Sequence, residues 1–182
     1  SAASDVYKRQ DVGSVFARYD SVDLYIDHLV RSVRADLTGM KIAIDCANGC
    51  ASYTAEKFFK KLGADVRMMH DNPNGVNINA RCGSTHMEDL IDYVNGHSVD
   101  LGLAFDGDSD RCLAVDENGK LIDGDRMIAV FALDMKNKGI LKDDTAVVTV
   151  MTNMGFKRFA EANEITVLET KVGDRYVLEE ML

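Results

Sequence analysis

The chain has 182 residues, 46% hydrophobic and 28% charged, a globular composition long enough for one ordinary domain or one domain and part of a second. Its net charge of −9, from 21 basic and 30 acidic side chains, argues against a general nucleic-acid binder, which needs clustered Lys and Arg to neutralise phosphates. The longest apolar runs, Leu101 to Phe105 and Met127 to Leu133, fall far short of the roughly 20 residues of a membrane span, so no membrane partner is expected either.

Residues 1–10 have no initiator Met, no apolar signal segment and no periodicity that joins them to the neighbouring chain; they are read as an artefact or a disordered lead. Residues 11–40 read as a linker and a helix, with Leu24, Ile26, Leu29, Val30 and Val33 at helical spacing before Gly39. A domain is expected over 41–140. It opens on a strand, Lys41 to Cys46, stopped by Asn48-Gly49, and continues with a helix from Tyr53 to Leu62 that Gly63 ends. Val66 to Met69 is the next strand, and 71–83, with the chain's only proline at Pro73, is a loop. Thr85 and Glu88 have the spacing of a capping box for a helix over Leu90, Ile91 and Val94. Asp100 to Phe105 reads as a strand buried on both faces. Cys112 to Val115 and Leu121 to Ile122 flank an Asn118-Gly119 turn, and Asp125 is placed to cap a helix from Arg126 to Asn137.

Strand–helix–strand–helix–strand followed by a hairpin defines an α/β fold with a mixed, mostly parallel sheet and flanking helices. A partial second α/β unit is expected over 141–182: strand Val147 to Val150, helix Gly155 to Ala162, strand Ile165 to Leu168 and a helix from Asp174. That unit is too short to complete a domain, and its helical pattern reaches Leu182 without a cap, which reads as truncation.

The sharpest chemistry lies at 106–111. Asp106, Asp108 and Asp110 alternate directly after an apolar strand, where unpaired carboxylates would repel one another. A hard, oxygen-seeking cation such as Mg²⁺ removes that repulsion, and open α/β sheets place ligands at the carboxyl ends of their strands. A plain acidic surface loop is the bland alternative. An EF-hand is the other: Asp106, Asp108, Asp110 and Glu117 fall at its ligand positions. Arg111 stands where that loop needs Gly, however, and the flanks read as strands. The Asp45–Gly49 segment is equally a turn and a site, and His28, His70, His86 and His97 form no constellation in the sequence. The cysteines Cys46, Cys50, Cys82 and Cys112 lack zinc-ligand spacing and read as small buried thiols in a reducing cytoplasm.

Six blocks then carry a resemblance: Asp45-Cys-Ala-Asn-Gly49, Pro73-Asn-Gly-Val-Asn-Ile-Asn79, Cys82-Gly-Ser-Thr-His86, Asp106-Gly-Asp-Ser-Asp-Arg111, Thr152-Asn-Met-Gly155 and Lys171-Val-Gly-Asp-Arg-Tyr-Val177. In this order they resemble the bacterial phosphoglucosamine mutase family of α-D-phosphohexomutases, from about Gly13 to Leu182. The resemblance implies the second domain of such an enzyme and the start of its third. It implies Mg²⁺ held by Asp106, Asp108 and Asp110, and Arg111 facing the transferred phosphoryl group. Lys171, Gly173 and Asp174 would lie near a hexosamine phosphate substrate. The family converts glucosamine 6-phosphate to glucosamine 1-phosphate through a phosphoserine and a bisphosphate. Its Ser-His-Asn-Pro serine loop and Gly-Glu-x-Ser-Gly sugar loop do not occur in this sequence. The chain is therefore expected to need the remaining domains of its polypeptide, to bind metal weakly and to be inactive alone. A phosphomannomutase or phosphoglucomutase, or a non-catalytic metal- or phosphate-binding module, are the alternatives.

Overall fold

The computed structural model describes residues 14–33 and 35–182. The expected lead at 1–10 lies outside the described residues. Helix α1 (Ser21–Ser32) precedes strand β1 (Lys41–Asp45), helix α2 (Ala51–Lys61) and strand β2 (Asp65–Met69). Helix α3 (Glu88–Gly96), strand β3 (Leu101–Phe105) and the hairpin of β4 (Cys112–Asp116) and β5 (Leu121–Ile122) come next. These strands form one sheet in the order β2-β1-β3-β4-β5. β1 runs parallel to both β2 and β3, with Ala43 opposite Arg67 and Gly102, while β4 and β5 pair antiparallel.

β1 is an interior strand, flanked by β2 and β3, and every residue after Lys41 is buried: Ile42, Ala43 and Ile44 are apolar, and Asp45 is a carboxylate held by hydrogen bonds. Its alternation divides the core. Ile42 and Ile44 pack with Ala51, Ala55 and Ala64 beneath α2. Ala43 faces the other way and joins Leu90, Val94, Ala104 and Val115 beneath α3. β3, expected to be buried on both faces, buries Gly102 and Ala104 and leaves Leu101, Leu103 and Phe105 partly covered. α1 lies outside α2, where Ile26 is fully buried and Lys57 and Lys61 pair with Asp23 and Asp27.

Two helix starts differ from expectation. α3 begins at Glu88 with no side-chain cap, because 83–85 forms a 3₁₀ turn and the Thr85 hydroxyl bonds His86 Nδ1 at 3.1 Å instead. Helix α4 (Gly124–Asn137) is capped by Asp123, whose carboxylate accepts from Arg126 N at 2.9 Å; Asp125 accepts from Asn153 N instead.

Strand β6 (Thr145–Thr149), helix α5 (Met154–Ala162), strand β7 (Thr166–Thr170) and helix α6 (Asp174–Met181) make a second unit, with β6 and β7 parallel. Ala132 and Ala129 of α4 pack with Ala146, Val148, Phe156 and Ala160. The packing thus gives α4 to the second unit rather than to the domain expected over 41–140. The reason is local: α4 presents its small alanines to β6 and α5, and its cap lies beside the start of α5 through Asp125. Among the described residues no helix is long and apolar enough to cross a membrane.

Candidate metal centre

β3 delivers Asp106 to the carboxyl edge of the sheet, and the chain turns at once. The loop closes on itself: Ser109 N donates to Asp106 O at 3.1 Å, Asp106 N to Arg111 O at 3.3 Å, and Arg111 N to Asp106 Oδ1 at 3.2 Å. Ser109 adopts a left-handed φ of 61° to complete the turn. The result brings carboxylate oxygens of Asp106, Asp108 and Asp110 within 4.8 Å of one another, with Asp106 buried and the other two exposed. The alternation read from the sequence is therefore a convergence in space.

The electrostatics show the crowding. Burial works to raise the Asp106 carboxyl, but the Arg111 N–H, the Asp110 carboxyl and the Arg111 guanidinium together hold it below its ordinary value. Asp110 moves upward through its hydrogen bond with Asp106, lost hydration, and the charges of Asp106 and Asp108. Arg111 Nε lies 2.7 Å from Asp106 Oδ2 and 3.4 Å from Asp110 Oδ1, and the rest of its side chain is largely exposed. The Ser109 hydroxyl is buried without a hydrogen-bond partner. An oxygen-only donor set, with three carboxylates crowded within reach of one another, fits a hard divalent cation.

The other sequence blocks surround this loop. Cys50 N donates to Gly107 O at 3.0 Å and its thiol to the same oxygen at 3.1 Å. Gly49 packs so closely that a Cβ there would sit 2.1 Å from Gly107 O. Ile78 and Asn79 cover Gly107 from the other side. Ser84 and Thr85 share with Asp110, Arg111, Cys112, Leu113 and Gly124 an open depression of about 500 Å³. Lys171, Gly173 and Asp174 stand at the carboxyl end of β7, where Gly173 takes a φ of 138° and the Lys171 ammonium lies 5.9 Å above the Tyr176 ring.

Sequence reasoning missed one cluster. His70 is not alone: its Nδ1 lies 3.0 Å from Asp45 Oδ2 and its Nε2 3.2 Å from Asp89 Oδ2. Cys82 completes a group with Asp45 and His70 within 4.8 Å. Asp45 and His70 stand 25 residues apart, and only the parallel pairing of β1 and β2 brings their strand ends together. The thiols divide too: Cys46 and Cys82 are buried as expected, but Cys50 is exposed and Cys112 partly so.

A parallel-centred sheet with a carboxylate loop at its strand ends is the form of an α/β domain that takes its ligand at the carboxyl edge. Family models for phosphoglucomutase/phosphomannomutase α/β/α domain II and domain III match residues 23–119 and 123–182. The chain belongs to this phosphohexomutase family. Phosphoglucosamine mutases of Clostridium acetobutylicum and Clostridium novyi are 53% and 49% identical to it, each over 95% of this chain. The chain spans 39% and 38% of those relatives' own lengths. A solved phosphoglucomutase/phosphomannomutase family protein from Burkholderia thailandensis matches 91% of this chain and 36% of its own, at 26% identity and a TM-score of 0.75. An N-acetylglucosamine-phosphate mutase matches in fold, at 22% identity and a TM-score of 0.63, over 89% of this chain and 39% of its own.

Proposed function

We propose that the chain is the metal-holding part of a phosphoglucosamine mutase, interconverting glucosamine 6-phosphate and glucosamine 1-phosphate. The observation that carries this reading is the convergence of three carboxylates within 4.8 Å at the end of β3, in a chain half identical to enzymes of that name. Asp106, Asp108 and Asp110 would hold Mg²⁺. When bound, the ion supplies positive charge against a phosphoryl group, the main requirement of phosphoryl transfer.

The chain's own residues do the rest of the local work. Arg111 borders the depression beside the loop, and its planar guanidinium suits a phosphate's oxygens. Its hold on Asp106 keeps the group aimed and desolvates little, since the side chain is 72% exposed. Lys171, Gly173 and Asp174 are assigned to the sugar phosphate. Lys171 offers a point charge, while Gly173, with φ at 138°, supplies the turn that carries the chain from β7 into α6. In this reading the phosphoserine comes from outside these 182 residues, which contain no Ser-His-Asn-Pro run, and the chain alone turns over no sugar phosphate. The four free thiols suit a reducing cytoplasm.

The test is the complete reading frame, assayed with glucosamine, glucose and mannose 6-phosphates. Asp108→Asn, an exposed and nearly isosteric change, is expected to leave the fold intact and lower Mg²⁺-dependent turnover by at least about 100-fold. Turnover equal to wild type in that variant removes the metal role. Preference for glucose or mannose phosphate assigns the chain to the other branch of its family.

A further inference from the structure

Six non-glycine residues in the loops at this end of the sheet adopt left-handed backbone: Ala47, Asn48, His70, Asn79, Arg81 and Ser109. Such conformations persist only where the surroundings over-determine them. Asp45 is the common point. With no exposed surface, it accepts from Ala47 N at 2.8 Å, from Gly83 N at 2.9 Å and from His70 Nδ1 at 3.0 Å. The His70 carbonyl in turn accepts from Asn48 N at 2.6 Å, and Ala47 O accepts from Asn79 N at 2.9 Å. One buried carboxylate and one imidazole thereby tie the loop after β1 to two stretches of the loop after β2.

Those three stretches are the walls of the metal loop. The first reaches Gly107 O through Cys50 N, and the second lays Ile78 and Asn79 on Gly107. The third brings Gly83 so near Phe105 O that a Cβ there would lie 2.5 Å from it. Their contacts bracket Asp106 on both sides along the chain. At its outer end the clamp is anchored to α3, where Asp89 Oδ2 lies 3.2 Å from His70 Nε2.

We propose that Asp45 and His70 are positioning residues for the metal centre, setting its cation affinity through the loops they clamp without touching the ion. This rests on the reading that Asp106, Asp108 and Asp110 hold a divalent cation. A metal site at Asp45, His70 and Cys82 themselves is the weaker account, because both Asp45 oxygens already accept hydrogen bonds from the protein.

The experiment titrates the complete protein with MgCl₂ by calorimetry, well below the melting temperature of each variant, so that only folded protein is read. His70→Ala removes both ring contacts and is expected to weaken Mg²⁺ binding about tenfold. His70→Asn keeps a donor near the Nδ1 position and tolerates left-handed backbone; it should recover binding to within about threefold of wild type. If His70→Ala does not fold, Asp89→Asn, at an exposed position, is expected to cost about threefold on the same readout. His70→Ala and Asp89→Asn proteins that bind Mg²⁺ as wild type does, whatever their melting temperatures, overturn the positioning role and leave the metal reading standing. A wild-type protein that binds no Mg²⁺ overturns both. Stoichiometric Zn²⁺ uptake that Cys82→Ser abolishes and Asp108→Asn retains makes the cluster a metal site and overturns the clamp.

Discussion

Gly49→Ala is the most direct probe of how tightly the loops are packed around the metal centre. Gly49 needs no unusual φ, so the substitution tests space alone. The added Cβ would meet Gly107 O at 2.1 Å and Gly107 C and Cα at 2.7 Å, all backbone atoms with no rotamer to retreat into. Ordinary contact requires the two loops to part by roughly 1 Å, an overpacking strain that costs about 1–3 kcal/mol. Separation on that scale also breaks the 3.0 Å bond from Cys50 N to Gly107 O, worth about 1 kcal/mol more. A total near 3 kcal/mol lowers the melting temperature of a chain this size by about 6–12 °C. Circular dichroism melting reads this directly. Gly96→Ala is the control: nothing lies within 4 Å of its Cβ, and its melting temperature should hold or rise. Because the displaced atoms belong to the loop itself, Mg²⁺ affinity should fall in parallel. A Gly49→Ala protein melting within about 1 °C of wild type refutes the packing argument.

Local chemistry gives two further outcomes. Burial, with the charges of Asp71 and Asp45, pushes the Cys46 thiol up to about 12, and burial alone pushes Cys112 up to about 11. Both are raised above their unfolded value, so the stability they contribute is complete below about pH 9 and drains away as the pH rises towards 11–12. Urea midpoints should be level at neutral pH and fall above pH 9; Cys46→Ala should flatten that fall, and an unchanged slope refutes the assignment. Asp123→Ala removes the cap of α4 and should cost about 1 kcal/mol, or about 2–4 °C, with Asp123→Ser restoring most of it. Equal melting temperatures for the Ala and Ser variants would show that the cap contributes nothing.

The β-rich run of β1 and the helical spacing of α2 and α3 were readable because each element's burial is written in its own residues. The three carboxylates were readable for the same reason: ligands two positions apart on a turning loop converge locally. The Asp45–His70 clamp was not, since its partners meet only after parallel strand pairing, and a buried carboxylate satisfied by backbone N–H groups leaves no sequence signature. The capping box at Thr85 failed for a related reason. Gly83 N is held by Asp45, and a tight 3₁₀ turn intervenes before the helix opens at Glu88. Choosing between Asp123 and Asp125 as cap turned on which carboxylate reached Arg126 N, a matter of two residues in a stretch rich in acids.

Arg111 has a consequence for how the protein is made. Many small structural zinc domains stay unfolded until the ion arrives, because ion binding supplies their folding free energy. Here the guanidinium spans Asp106 and Asp110, and backbone bonds close the turn between them. The loop thus carries its own provisional counter-ion. A newly synthesised chain can complete this edge of the sheet without a cation, and adding a chelator should leave the melting temperature of the domain unchanged.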